Sequence, residues 1–329
     1  MRVLSWHVHG SWSTSFLAGD HDHLVPVVPG RGPDGRGRAA TWDWPASVVE
    51  RTPEQLRALA ADGGIDVVVL QRPHELDLLT RWTGLVAGKD VPAVYVEHNT
   101  PSGPAATTRH PCADVDEVAR GQVPVVHVTA FNDLMWDCGT ARTLVVDHGV
   151  ADPGHLWTGT AAHVGAVVND PVRRWRVVGT DVLLRVAHAV PVEVYGMGVT
   201  GLAEHLGDAA GTVLHEDVPQ AQMHRMLARA RAYLHPFRWT SLGLSLLEAM
   251  ALGLPVLALG TTETPAAVPP GAGVVSNRPD ELVAAARRWL ADPDEARAYG
   301  DAARAHVLAR YSLAEFLLRW DTTLQEVTS

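Results

Sequence analysis

Lysine is nearly missing from this chain: Lys89 is the only one in 329 residues. Any site that must hold a phosphate therefore has to use arginine, whose planar fork binds two oxygens at once. Cysteine is almost as scarce. Cys112 and Cys138 form neither a metal-spaced nor a redox pair, so two reduced thiols are expected and a disulfide framework is excluded. No run approaches the ~20 consecutive apolar residues of a membrane span. Basic charge is in deficit, with a formal net charge of −10 at pH 7, which argues against a nucleic-acid footprint. A Walker A loop, a G-x-S-x-G elbow and an HExxH helix are all absent from the sequence. The nearest approaches to a metal set are Asp114-Val115-Asp116 and Asp20-His21-Asp22-His23. Both read as solvated loops, and no metal is expected.

What the chain has in quantity is alternating apolar segments. A hydrophobic share of 47% with a mean hydropathy of +0.01 describes a globular protein, and the length suits two α/β domains better than one core. In the first half, residues 3–8, 66–70, 93–97, 123–128 and 143–146 read as strands, several of them continuous valine-rich runs buried on both faces. Helical patterns fall between them at 53–61, 74–82 and 131–138. Residues 28–45 hold Gly, Pro and Arg without periodicity and read as an exposed loop, with Trp42 and Trp44 either packing its base, the favoured reading, or facing an acceptor. The second half repeats the alternation, with strands at 164–168, 192–195, 213–214, 232–234, 256–259 and 273–275. Its helices are expected at 181–189, 221–230, 242–252, 279–290 and 295–310. Residues 312–327 form a last amphipathic helix with Leu313, Phe316, Leu317, Trp320 and Leu324 apolar. The opening Met-Arg-Val-Leu-Ser-Trp enters a strand directly, without a signal-peptide core, so a cytoplasmic protein is expected.

Residues 233–268 carry the most chemistry. Tyr233 and Leu234 end a strand, and Pro236 stops it because proline cannot donate to a ladder. Thr240 and Ser241 are candidate N-caps for a helix over 242–252 whose apolar stripe is Leu244, Leu247, Ala251 and Leu252. Gly253 followed by Pro255 ends that helix, and an apolar strand follows. A helix N-terminus beyond a strand's carboxyl end is an anion site, which suits a nucleotide diphosphate.

This stretch resembles the donor-binding segment of the family-4 retaining glycosyltransferases, also called glycosyl transferases group 1. Their pattern is Glu-Gly-Phe-Gly-Leu, three residues, a second Glu, Ala-Met-Ala, then Gly-x-Pro-Val. Gly243, Leu244, Glu248, Ala249, Met250, Ala251, Gly253, Pro255 and Val256 match it. The first Glu falls on Thr240, and the Gly-Phe pair on Ser241 and Leu242, where this chain departs from the pattern. The resemblance implies an α/β GT-B fold, two Rossmann-like domains facing each other across a cleft. It implies domains over 1–155 (acceptor side) and 156–311 (nucleotide-sugar donor side). Residues 312–329 would form a helix crossing back to the first domain, and the linker would lie between about 149 and 162.

By the same resemblance, backbone amides near Gly243 and Leu244 hold the donor pyrophosphate and Glu248 meets the ribose hydroxyls. Arg173, Arg174 and Arg176 stand where the family grips the phosphates, in a register the sequence leaves open, with Arg174 and Arg176 as catalytic candidates. His98, the third catalytic candidate, follows a first-half strand and resembles the family's strand-end histidine, which approaches the donor sugar, so that it would orient the sugar or hydrogen-bond the acceptor. Gly10, after the first strand, matches a glycine-containing loop near the diphosphate. Gly196, in Gly196-Met197-Gly198, suits a turn near the base, and His235 and Pro236 are placed to line the base pocket.

The activity implied is metal-independent transfer of a sugar from a UDP- or GDP-linked donor to an acceptor, with retention of configuration. The acceptor is an unidentified glycan, lipid or small molecule. No cofactor is implied beyond the donor as co-substrate. No nucleic acid or transmembrane segment is expected, and peripheral membrane contact stays open. Two alternatives are a non-catalytic nucleotide-sugar-binding relative, which the Thr240 departure supports, and a UDP-sugar 2-epimerase, which would need acid/base carboxylates.

Overall fold

Two parallel sheets organise the chain, and the valine-rich runs are their central strands. The computed structural model describes residues 1–40, 42–209 and 211–329. They divide into two units, one of Met1–Gly149 with Leu313–Ser329 and one of Val150–Ser312.

The first unit's strands are β1 (Arg2–Ser5), β2 (Asp22–Pro26), β3 (Val48–Arg51), β4 (Val67–Leu70), β5 (Ala93–Glu97), β6 (Val125–His127) and β7 (Thr143–Val145). They pair in the order β3-β2-β1-β4-β5-β6-β7, all parallel. β4 and β5 are buried along their whole length, which is why they lack a polar alternation. Between the strands lie helices α1 (Gly10–Phe16), α2 (Pro53–Ala61), α3 (Glu75–Thr83), α4 (Asp116–Ala119) and α5 (Ala130–Met135). Thr52 caps α2 with a reciprocal Thr52–Gln55 capping box.

Three expectations for this unit need correction. The strand expected over 3–8 ends at Ser5, and Gly10 opens α1 rather than sitting in a loop. Glycine is suited there because a Cβ would lie 3.3 Å from the Trp42 indole nitrogen. The solvated loop expected at 20–23 is half wrong, since Asp22 and His23 belong to β2. His23 is fully buried, in register with Val3 on one side and Val48 on the other. The Asp-His start and Pro end of β2 hid it from pattern reading.

The second unit's strands are β8 (Ala161–Val167), β9 (Val192–Gly196), β10 (Thr212–Glu216), β11 (Ala230–His235), β12 (Val256–Ala258) and β13 (Gly273–Val275). Their order is β10-β9-β8-β11-β12-β13, again all parallel. Its helices are α6 (Thr180–Ala187), α7 (Gln220–Leu227), α8 (Leu244–Leu252), α9 (Thr264–Ala267), α10 (Pro279–Ala291) and α11 (Pro293–Arg310), with a 3-10 segment at Val199–His205.

α8 is not the one-sided helix expected. Leu246, Leu247, Ala249, Met250, Ala251 and Leu252 are all buried, because the sheet covers one side and α11 the other. A helix that is apolar all round belongs in a core. Only Leu244, Ser245 and Glu248 keep partial exposure, at the end facing the loops. Gly253 ends it in the left-handed conformation, φ 95°.

The last helix, α12 (Leu313–Thr328), packs on the first unit. Its Phe316, Trp320 and Leu324 are buried, and the Trp320 ring lies 5.6 Å from Trp12 and 5.1 Å from Phe16 of α1.

Candidate functional site

In each sheet the strand order reverses once, and open α/β sheets bind ligands beyond the strand ends at that reversal. In the second unit it lies between β8 and β11. Residues 168–179 follow β8 and residues 236–243 follow β11, so the two expected donor-binding segments meet there.

The segments are tied closely. The Arg238 and Trp239 amides both donate to the Val177 carbonyl, at 2.9 and 3.2 Å. Gly179 sits at φ 71°, and a Cβ there would overlap the Pro236 carbonyl, so the approach requires glycine. Arg238 makes a two-pronged bond to Asp181, 2.6 Å on each oxygen, and Arg176 reaches the same carboxylate at 2.8 Å. Partial burial works to raise the Asp181 pKa, and the Arg238 and Arg176 guanidiniums outweigh it, holding the carboxyl below its usual range. Arg173 is exposed and paired with Asp170. Arg174 is half-buried and has no salt-bridge partner among the described residues. Its burial, with Arg173 beside it, disfavours the charged form, a cost that an incoming anion would relieve.

Thr240 and Ser241 do not cap α8. The helix starts at Leu244 behind Gly243, whose extended backbone (φ −74°, ψ 122°) brings no side-chain cap. No side chain caps the first turn, although the Leu246 amide reaches the Gly243 carbonyl at 3.0 Å. Ser241 and Leu242 are buried, Leu242 within the core, while Thr240 is partly exposed. Glu248, one turn into α8, accepts from Gln220 Nε2 at 2.9 Å and pairs with His224 Nε2 at 3.2 Å, both on α7. Its carboxylate thus has two partners within the protein, and two bonds leave a carboxylate with further acceptor capacity.

Gly196 ends β9 at φ 141°, with no room for a side chain against the Val168 carbonyl. Beyond it, Asp170, Arg173, Gly198, Glu204 and His205 border a cavity of about 390 Å³. His235 is buried, stacked on Phe237 at 4.5 Å, with its ring against Gly243, where a Cβ would come 2.5 Å from Cε1. Burial holds its pKa down at about 3.

In the first unit the reversal lies between β1 and β4, and three histidines gather near it. His98 follows β5 and is buried, its ring 4.1 Å from His9 and 4.9 Å from Trp12. Burial, reinforced by His9 and His148, keeps His98 neutral well below its ordinary pKa. Burial likewise lowers His9 to about 4 and His148 to about 3. Sequence reading missed His9, His148, Arg238 and Asp181, since only the strand order brings them to these ends. Asp114 and Asp116 point elsewhere, ion-paired to Arg109 and Arg120. Among the described residues no group of His, Cys, Asp or Glu is arranged to hold a metal ion, and no helix is long and apolar enough to cross a membrane.

Comparison with known proteins agrees with this layout. Residues 174–320 match the glycosyl transferase-like family model. A search of curated protein sequences gives no match. Among solved structures, sucrose-phosphate synthase from Thermosynechococcus elongatus superposes with a TM-score of 0.75 at 14% identity, covering 99% of both chains. Anabaena HepE in complex with UDP gives 0.72 at 15% identity, over 99% of this chain and 100% of that one. A glycosyltransferase from Rickettsia africae gives 0.67 at 14% identity, over 99% and 98%. The chain has the GT-B fold, and the resemblance read from residues 233–268 falls inside the segment the family model covers.

Proposed function

We propose that this GT-B chain is a retaining glycosyltransferase that moves a sugar from a UDP- or GDP-linked donor to a glycan, lipid or small-molecule acceptor. The observation that carries the reading is the reversal point of the second sheet. There the uncapped N-terminus of α8 and the half-buried Arg174 share one edge with Glu248. An uncapped helix start and an unpaired guanidinium oppose a diphosphate, and a carboxylate accepts from ribose hydroxyls. Solved relatives in the fold hold UDP or UDP-glucose, which supports the donor class.

On this reading the bond from the anomeric carbon to the phosphate oxygen breaks as the bond to the acceptor oxygen forms on the same face. The acceptor proton passes to the leaving phosphate. Arg174 and the α8 amides stabilise the charge that builds on the diphosphate. No side-chain nucleophile is assigned: Asp181 is engaged by Arg238 and Arg176, and Glu248 by Gln220 and His224. Arginine and helix together supply the positive charge that a divalent ion would otherwise bring, so the reaction runs without metal.

The test is incubation with UDP- and GDP-sugars, with and without crude glycan and lipid acceptors, following nucleoside diphosphate release and the product anomer by NMR. Arg174→Ala should lower turnover of the intact donor more than it weakens binding of the free nucleoside. The second reading, a nucleotide-sugar binder without transfer, rests on Thr240 standing where the family has a sugar-contacting glutamate. Tight donor binding with neither hydrolysis nor transfer would favour it. An inverted anomer would refute retention.

A further inference from the structure

Glu248 stands on α8, yet the groups that aim its carboxylate stand on α7. Gln220, the first residue of α7, directs Nε2 to Oε1 at 2.9 Å, and His224 directs Nε2 to Oε2 at 3.2 Å. A carboxylate only accepts, so the Gln220 atom is the amide nitrogen and His224 carries a proton on Nε2. The two donors are four residues apart and therefore share one face of their helix. Each oxygen of Glu248 takes one bond and keeps acceptor capacity for a second.

Both helices are fixed from beneath. Met223 and Leu227 of α7 are buried in the second unit's core. Leu227 fills the space over Gly165 of β8, where a Cβ would come 2.3 Å from its Cδ1. α8 is buried on nearly every side, and Glu248 is the one ionisable residue between Leu244 and Leu252. The Glu248 and His224 side chains are 13% and 12% exposed, so the carboxylate is largely withdrawn from water while its outer edge stays reachable. Packing alone would be served by an apolar side chain at 248, and Gln220 and His224 would then have nothing to hold.

We propose that Gln220 and His224 are positioning residues that hold the Glu248 carboxylate in the orientation in which it meets the nucleoside half of the donor. The proposal deepens the transfer reading and rests on it for the role of Glu248. Glu248, Gln220 and His224 all belong to the second unit. Released from either donor, the Glu248 side chain would sample several rotamers and lose that freedom again at each binding event. The loss would fall on the nucleoside and not on the phosphates, which contact other groups.

Calorimetry of the full chain with UDP and GDP, and with inorganic diphosphate as the control, tests this. Gln220→Leu and His224→Leu should each weaken nucleotide binding roughly two- to tenfold, as for loss of one hydrogen bond, and leave inorganic diphosphate unaffected. His224→Gln keeps an N–H donor and should recover most of the loss. In a Glu248→Gln background neither leucine substitution should weaken nucleotide binding further, because the pair acts only through that carboxylate. A packing role would instead weaken nucleotide and inorganic diphosphate together and persist in that background. Nucleotide affinity at the wild-type level in both leucine variants, beside a weakened Glu248→Gln, overturns the positioning alone. Wild-type affinity in Glu248→Gln refutes the reading on which the proposal rests. Two-bond 15N–1H spectra of the unsubstituted protein check the donor direction independently of any variant's folding, and a His224 proton on Nδ1 alone would also overturn the proposal.

Discussion

Acidification should unfold this protein far above the pH at which carboxylates protonate, because its buried histidines are held neutral. His23, His148 and His235 have little exposure, and burial lowers them to about 4, 3 and 3. In the unfolded chain they titrate near 6.5. As pH falls below that value the unfolded state takes up protons that the folded state refuses, so stability drops until the folded pKa is reached. At pH 5 each such histidine costs about 2 kcal/mol, and the three together about 6 kcal/mol. A domain's whole stability is only about 5–15 kcal/mol. His23 and His148 belong to the first unit, as do the likewise lowered His9 and His98, and His235 to the second, so the first should lose several times as much. Relief of repulsion at a net charge of −10 works the other way and is smaller. Urea unfolding followed by circular dichroism between pH 7.5 and 5 measures the loss. His235→Phe keeps the stacking on Phe237 and should flatten the second unit's pH slope by about one proton. A midpoint that stays level or rises across that range would refute the reasoning.

Three further outcomes follow from the second unit. Glu248→Gln keeps the shape of α8 and removes its charge, so UDP or GDP affinity by calorimetry should fall by ~1.5–3 kcal/mol; unchanged affinity removes Glu248 from the site. Gly179→Ala meets the Pro236 carbonyl and a positive φ, and should destabilise by about 1–3 kcal/mol. The matching fall in melting temperature is roughly 2–4 °C for each kcal/mol, and an unshifted melt would mean the two loops are not locked together. Excess EDTA should leave most of the transferase activity intact, and abolition reversed by magnesium or manganese would show the metal-free account to be wrong.

The sequence exposed the central strands and the α8 segment because both depend on local chemistry. Continuous valine runs, a proline that stops a strand and a glycine-proline turn after a helix each work within a few residues. α1 escaped because Gly10, Ser11, Ser13, Thr14 and Ser15 are poor helix formers, and the helix exists through burial of Trp12 and Phe16. β2 escaped because His23 is polar by composition and buried by position. The site was half legible. Glu248, Arg174 and His98 stood in recognisable surroundings, whereas His9, His148, Arg238 and Asp181 gain meaning only where parallel strands end side by side. Glu248 shows the limit from the other direction. A carboxylate in an apolar run does need partners, yet Gln220 and His224 on another helix already supply two of them.

The placement of α12 with the first unit has a consequence for biosynthesis. Residues 150–312 form the second unit, so it emerges from the ribosome whole and in one stretch. The first unit is split in the chain. When residue 149 appears, Trp12 and Phe16 still lack the Phe316 and Trp320 rings that cover them. At roughly 5–20 residues per second, tens of seconds or less separate the two events. During that interval an aromatic surface on α1 is uncovered, while the later-made unit is free to fold first. The order of folding is then the reverse of the order of synthesis, and nascent chains halted before residue 313 should be the ones that chaperones hold.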